Sequence, residues 1–504
     1  MLFCVISLSM SLSTIILIVY LYLSWYFNYW KRQNIAGPRP QLLKGTFPKT
    51  YAGKCNLLNE LHEIYMHYKY RESYVGVFMA RSPKLFILDP KLIKQILTQQ
   101  FTKFRDNESS QWSSEKVEQL RFGSPFVSVG EVWKEKRSEL VQGLTVNRIR
   151  SHYEIMKESA SEMIAFIKAQ DPIIEWDAKD LANRFTCHIM SKFIWGIDEN
   201  TFETLDKHST IHEIADQMLK QSLKCVQYYG KTAAWPWLRK IQPERFFPAV
   251  SDGFFKQLAK DVMQQKIATN NKQNDVINHL LQLKEKKSLN DVQIAGHTTT
   301  VLIDGFETGA IVIAHCLLLL ARHQRVQKKL RQELLEAGDT ITYDQLMELP
   351  YLDQCIQETL RLFPPLATLF KICTESFELQ NEFSGSRVLL KPQDIVYISA
   401  YSLHHDPDYY ENPEEFWPER FNQELGGVKK YKDMGVFLPF GDGPRMCPGM
   451  KLGLSEVKVA VAELLKTFEL SLCAGTRLDN KIAADSFLLT LDGGIRVYFK
   501  CLKD

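Results

Sequence analysis

No charged side chain occurs in the first thirty residues of this 504-residue chain. Charge of one sign is also lacking in bulk: 62 Lys and Arg face 59 Asp and Glu, for a formal +3. With no long basic tract or cationic stripe interleaved with aromatics, the chain does not read as a nucleic-acid binder. No Gly/Ser-rich or Pro-rich linker divides it and no internal repeat is visible, which leaves one large domain. Cysteine is sparse, ten scattered residues without a C-x-x-C or metal-finger spacing. A disulfide scaffold is therefore excluded, and most thiols are expected reduced and buried.

What is present is an ordinary globular composition, 45% hydrophobic, 12% aromatic and 24% charged, with ample material for a core. The uncharged run from Leu2 to Tyr29 exceeds the roughly 20 apolar residues that span a bilayer. Trp25, Tyr26, Phe27, Tyr29 and Trp30 form an aromatic belt at its end, and Lys31 and Arg32 follow. The positive-inside rule then places the bulk of the chain on the cytoplasmic side. A cleaved signal peptide is the alternative. Against it stand the length of the run, the missing basic n-region and bulky aromatics where small cleavage-site residues belong. A mitochondrial presequence would be Arg-rich and amphipathic. The expected organisation is a signal-anchor transmembrane helix over 1–30, a proline-containing hinge over 31–50 around Gly37-Pro38-Arg39-Pro40, and one large domain over 51–504.

Short β-type runs occur at 74–79 and 85–88, separated by Arg81-Ser82-Pro83. From 128 to 340 the pattern is helical, and a single extended helix is expected over about 289–336. Its apolar run Gly309–Ala321, interrupted by His315, is too short for a second span. A helix over 344–362 stops at Pro364-Pro365, and short strands are expected near 377–379, 388–390 and 395–398. A last helix begins near Gly449, ahead of a C-terminal hairpin. The fold class is mainly α (α+β), a large helical domain with small β-sheets at one side.

Phe440-Gly441-Asp442-Gly443-Pro444-Arg445-Met446-Cys447-Pro448-Gly449 is the most informative segment. Gly441 and Gly443 permit a tight loop whose backbone can approach a flat ligand. Cys447 sits just before a helix start, where the dipole and free N–H groups favour a thiolate. A lone buried cysteine is usually structural, but the six fixed residues of F-G-x-G-x-R-x-C-x-G arise by chance on the order of 10⁻⁵ times in such a chain.

The segment resembles the haem-binding loop of the cytochrome P450 family, and further landmarks follow in family order. The resemblance implies the cytochrome P450 fold, heme b (iron protoporphyrin IX) as cofactor and Cys447 as axial ligand of its iron. Arg445 would pair with a propionate, and Phe440 would pack on the sulfur side of the ring. Glu358-Thr359-Leu360-Arg361 matches the family's E-x-x-R, and Arg420 lies in Phe416-Trp417-Pro418-Glu419-Arg420-Phe421. These three charges would form a buried network holding the loop. E-x-x-R alone occurs about once in any chain this long and otherwise reads as a solvated helix face. The tetrapeptide Pro243-Glu244-Arg245-Phe246 is set aside, having no such loop behind it.

Asp304-Gly305-Phe306-Glu307-Thr308 resembles the oxygen-activation segment. Gly305 would give room over the iron, and Thr308 and Glu307 would deliver protons. The bland reading is a threonine back-bonded to its own helix. Asp304 replaces the usual Ala or Gly and Gly309 the usual Thr or Ser; a mid-helix glycine costs roughly 1 kcal/mol, so a bend or close packing is expected there. Ala295-Gly296-His297-Thr298-Thr299 mimics the motif with His in place of the acid. Trp133 and Arg137 match W-x-x-x-R, placing indole N–H and guanidinium on one helix face toward a propionate. Lys371 stands where many members have a propionate-binding arginine.

The resemblance implies a monooxygenase that inserts one atom of O2 into a small lipophilic substrate, a xenobiotic or an endogenous hormone or lipid. Electrons would come from NADPH through NADPH-cytochrome P450 reductase, with cytochrome b5 as a further partner. The wording of the motifs is similar to insect microsomal members, which implies the endoplasmic reticulum membrane, single-pass. Two basic clusters would receive the reductase: Lys134, Lys136, Arg137, Arg148 and Arg150, and Lys429, Lys430, Lys432, Arg445 and Lys451. Family position puts cavity contacts at 108–125, 205–230, 300–304, 366–370 and 485–490. The aromatic stretch 233–248 would dip into membrane lipid or pack in the core. The rival readings are a haem-thiolate isomerase or dehydratase working without reductase, a non-catalytic haem-containing lipophile binder, and a hydrolase pairing Cys447 with His404 or His405.

Overall fold

The uncharged N-terminus forms one continuous helix, Leu2–Ser24, in a computed structural model that describes residues 2–502. Nineteen residues from Ile6 to Ser24 carry the apolar character, and at 1.5 Å per residue they reach roughly 28 Å, the thickness of a hydrocarbon layer. From Ile6 to Leu21 their side chains are exposed, as a span through lipid requires, and only the last turn, at Tyr22 and Leu23, meets the rest of the protein.

This candidate anchor helix ends at Ser24, short of residue 30, and the aromatic belt divides. Trp25 is exposed, whereas Trp30 is buried over Gly76 and donates its indole N–H to the Val77 carbonyl (3.2 Å). Phe27 meets Phe78 edge-on at 5.8 Å. Nor is 31–50 a free hinge. Gly76 N donates to Ala36 O (2.8 Å), Thr46 N donates to Phe78 O (2.9 Å), and Phe47 is fully buried. The prolines hold this segment extended, and an extended backbone beside a strand finds partners there.

Three sheets are present among the described residues. The largest has five strands in the order Tyr74–Met79, Ser82–Ile87, Ile395–Ser399, Thr368–Ile372, Asp106–Asn107. Its one parallel strand pair sets Leu85, Phe86 and Ile87 beside Val396, Tyr397 and Ile398; the other strand pairs are antiparallel. The register sets Asn107 opposite Lys371, which matters below. Arg496–Cys501 pairs with Phe468–Leu472 and Trp176–Asp177, and Phe377–Gln380 pairs with Arg387–Leu390.

The expected helix over 289–336 is two helices, Asp291–Arg322 and Gln324–Glu336, because His323 leaves helical geometry (ψ 74°). Asn290 and Gln293 close a capping box at the start of the first. Its second half is apolar all round and buried all round, so it is a core helix. Ile311, Ile313, Leu317, Leu318 and Leu320 are each at most 1% exposed. Each such side chain contributes about 1.5–3 kcal/mol on burial. The helix over 344–362 is likewise divided, into Tyr343–Glu348 and Pro350–Leu362, with Pro350 at the first turn of the second. The final helix, Met450–Thr467, packs across the long one.

Candidate functional site

The loop before Met450 is fixed by two left-handed glycines. Gly441 and Gly443 have φ +70° and +69°, and a Cβ on Gly443 would lie 2.0 Å from the Leu97 carbonyl oxygen. Only glycine satisfies both demands at 443. Asp442 accepts from Gly443 N (2.7 Å), and Cys447 N donates to Phe440 O (2.9 Å), closing the loop so that residue 447 projects from its tip.

Cys447 and Asp304 both carry accessible surface, although protein surrounds each on nearly every side. Because the Asp304 carboxyl also acts on the Cys447 thiol, we assign both surfaces to one cavity between the loop and the long helix. Burial pushes the Cys447 thiol up to about 11; an N–H from Gly449 pulls it down, the Asp304 carboxyl adds to the rise, and Arg137 opposes it. The helix start therefore does not by itself secure a thiolate, since Cys447 lies three residues before Met450 and only one N–H reaches it. A metal cation at the sulfur is the group that would reverse this balance.

On the loop side, cations collect without matching anions. Arg445 donates to Pro125 O (2.9 Å) and Ser128 O (2.7 Å), reaches Asp106 at 3.5 Å, and leaves its buried Nε unpartnered. Its guanidinium lies 4.6 Å from the Trp133 ring, so Trp133 and Arg445 meet although they are far apart in sequence. Arg137, one turn on, donates to Met446 O (2.7 Å). Lys371 is buried and donates to Asn107 Oδ1 (2.9 Å), its strand neighbour. Burial first, then the nearby charges of Arg445 and Arg137, push Lys371 down to about 7, against a partial correction from Asp106. A flat group with a thiol-ligated metal at its centre and carboxylates at its edge fits these donors: the thiol, the unpartnered Nε and the excess of buried cations.

A pH dependence follows. In haem-free protein Lys371 has a folded value near 7 and an unfolded value near the usual 10.4, so the unfolded chain binds more protons between them. Stability should therefore rise as pH climbs from about 7 toward 10, and Lys371→Met should flatten that rise. Urea midpoints at several pH values check this; a flat wild-type profile would contradict it.

Behind the loop lies a buried charge network. Arg361 grips Glu358 through two bonds of 2.8 Å, and Arg420 Nε donates to the same carboxylate at 2.9 Å. Trp417 N donates to Glu358 as well (3.0 Å), and all three side chains are at most 2% exposed. Arg361 Nη1 donates to His404 O (2.7 Å). The His404 ring lies 3.0 Å from the Arg361 carbonyl through Nδ1 and accepts from Leu438 N through Nε2 (2.9 Å). Burial holds this imidazole neutral, with Nδ1 as the donor. His404 thus joins the charge network to the start of the cysteine loop, a link no spacing in the sequence announces. Both ring nitrogens of His405 are also engaged, with Glu414 (2.8 Å) and Leu362 O (3.0 Å), so neither histidine is free to act as base for Cys447. Arg245 of the other P-E-R-F pairs with Asp252 (2.9 Å) instead.

On the long helix, Asp304 and Thr308 share one face, and the Thr308 hydroxyl donates back to Asp304 O. Gly305, rotated by about 100°, does not open onto the cavity: a Cβ there would strike Met190 at 2.6 Å. Its smallness serves packing against helix Ala178–Trp195. Gly309 behaves similarly, with Glu456 Oε2 and Thr186 Cγ2 at 3.2 and 3.3 Å from an added Cβ, which is the close packing expected there. Glu307 turns away from the cavity to pair with Lys179 at 2.5 Å. His297 of the look-alike segment is bound to Glu139 (3.0 Å).

Of the two basic clusters, Arg445, Arg137 and Lys136 turn inward, and Arg150 and Lys429 pair with Asp344 and Asp433. Among the described residues, Lys134, Lys430, Lys432 and Lys451 stay exposed without an ion pair.

A family model described as Cytochrome P450 matches residues 36–496. The chain is 36% identical over 493 residues, 97% of each chain, to "Probable cytochrome P450 28d1" of Drosophila melanogaster. It is 37% identical to "Probable cytochrome P450 28d2" of the same fly, across 95% of this chain and 96% of that one. A more distant relative is "Cytochrome P450 6j1" of Blattella germanica, 26% identical over 492 residues.

Proposed function

Because the chain belongs to the cytochrome P450 family of haem-thiolate monooxygenases, we propose that it hydroxylates a small lipophilic molecule with electrons passed from NADPH by a flavoprotein reductase. It is an oxidoreductase, and its cofactor is iron protoporphyrin IX. The observation that supports the proposal is the closeness of the Asp304 carboxyl to the Cys447 thiol, with Thr308 hydrogen-bonded back to Asp304 on the same helix face.

When bound, the haem supplies dioxygen activation at its iron. Cys447 would hold the metal, and Arg445, Arg137, Trp133 and Lys371 would hold the propionates. Glu358, Arg361 and Arg420, acting through His404, would keep the loop in place. The Thr308 hydroxyl holds a proton at Oγ1 beside the cavity. Lys179, part-exposed, and Glu307, buried, make a charged step from the surface toward that helix. Asp304, whose carboxyl burial pushes up to about 7, is a second proton holder on the cavity side.

Support for a lipophilic substrate comes from Trp112. It meets Phe487 at 5.4 Å, Tyr229 and Phe246 at 6.1 Å, and Phe370 at 6.3 Å. Segments expected to line the cavity thus converge on one aromatic cluster. Support for a membrane-facing entrance comes from the anchor's end. Leu23 packs with Ala80, Ala233 and Ala234, and Trp237 and Ile241 nearby are 52% and 73% exposed. A single-pass microsomal location with a cytoplasmic catalytic domain suits this arrangement, and so do the exposed lysines as a face for reductase or cytochrome b5. Trp237→Asp with Ile241→Asp, in protein lacking residues 1–22, should weaken vesicle binding about tenfold or more. Flotation of equal amounts of both proteins with lipid vesicles checks it, and equal recovery would remove this segment from the membrane.

The full chain reconstituted with reductase in lipid vesicles tests the reaction itself. Product from a lipophilic panel that requires NADPH is the expected result. Conversion without NADPH would favour the isomerase or dehydratase reading.

A further inference from the structure

A second constellation lies where helix Ala178–Trp195 meets the start of helix Thr210–Thr232. Asp180 stands near the start of helix Ala178–Trp195, His208 just before helix Thr210–Thr232, and His212 in its first turn. One ligand atom from each lies within 4.8 Å of the others. The imidazole centroids are 4.1 Å apart with the rings tilted by 35°, and His208 Nε2 is 3.4 Å from Asp180 Oδ1. His212 is only 4% exposed, yet its Nδ1 has no hydrogen-bond partner, and neither does the buried Nδ1 of His208. Buried imidazole nitrogens left without a partner cost stability in a folded protein unless something occupies them, and here they belong to two histidines whose rings adjoin a carboxylate.

We propose that Asp180, His208 and His212 form a binding site for a divalent transition-metal ion such as Zn²⁺. Two imidazoles and one carboxylate are the donors such ions take, with a remaining position left for water; Mg²⁺ and Ca²⁺ prefer all-oxygen sets. The site is partly pre-set. Arg184 donates to Asp180 Oδ2 (3.0 Å), leaving Oδ1 toward the histidines. The same guanidinium donates to the carbonyls of Thr201 (2.8 Å), Thr204 (2.9 Å) and Leu205 (2.8 Å), which holds the chain leading to His208. Its charge opposes a second cation, so the site is weaker than one with three free ligands.

The ion would tie the start of helix Thr210–Thr232 directly to helix Ala178–Trp195. His212 also touches Phe306 edge-on at 5.2 Å, beside Glu307 and Thr308 on the long helix. Metal binding would thus clamp the start of helix Thr210–Thr232, which carries Cys225 and Tyr229 of the aromatic cluster, onto the oxygen-activation helix.

Equilibrium dialysis of chelator-treated, haem-loaded full-length protein against Zn²⁺ tests this, with zinc and haem counted in the same sample. About one zinc per haem is expected, unaffected by excess Mg²⁺. His208→Gln, at a half-buried position that keeps the fold, should weaken binding on the order of 100-fold, and His212→Gln likewise. Zinc should raise the unfolding midpoint of wild type and not of either variant. No zinc above background, or equal zinc in wild type and both variants, would overturn the site.

Discussion

Glu358→Ala should abolish recovery of folded, haem-loaded protein. The carboxylate accepts from two guanidinium groups and one backbone N–H in a space that excludes water. Removing it leaves Arg361 and Arg420 buried without a counter-charge, which costs about 3–5 kcal/mol. A domain's whole stability is about 5–15 kcal/mol, so the loss takes a large share of it. The damage reaches the cysteine loop directly, because Arg361 holds His404 and His404 holds Leu438 N. Glu358→Gln keeps the volume and one acceptor oxygen and should fall between. Haem content per folded protein, with urea unfolding followed by circular dichroism, measures both. An Ala variant within about 1 kcal/mol of wild type would show that the network holds nothing.

Arg445→Leu should leave a folded protein that loses its haem on the order of 100 times faster. The side chain holds three things together: the carbonyls of Pro125 and Ser128, the Trp133 ring, and the loop that ends in Cys447. A hydrogen bond to a charged group contributes about 1.5–3 kcal/mol, and a desolvated cation on an indole about 2. Loss of two such contacts and of a propionate partner gives at least that hundredfold, which is about 2.7 kcal/mol. Arg445→Lys should recover little, since an ammonium cannot reach two carbonyls in a planar fork. Haem transfer to an acceptor apoprotein reads the rate; an unchanged rate in Arg445→Leu would remove Arg445 from the haem site.

The residues that could be read in advance are those whose partners are close in sequence. The cysteine loop and the Glu358–Arg361 turn are local patterns, and local geometry nearly determines them. Lys371 was legible only through the resemblance, and its partner Asn107 only through a strand register that joins residues 264 positions apart. His404 gives no sequence signal, because its role depends on both ring nitrogens finding backbone from two other segments. Gly305 and Glu307 were legible as a motif but not in direction: each residue turns a helix by about 100°, so neighbours of a cavity-facing residue face elsewhere. The helix break at His323 and the docking of Trp30 on Gly76 are tertiary outcomes of the same kind.

The thiolate ligand is the centre of the account, and one spectrum addresses it most directly. Purified full-length protein is reduced with dithionite, exposed to carbon monoxide and recorded as a difference spectrum beside Cys447→Ala. The account predicts a strongly red-shifted Soret band in the wild type that disappears in the variant. A wild-type band of the histidine-ligated kind, or a red-shifted band that survives Cys447→Ala, would contradict it.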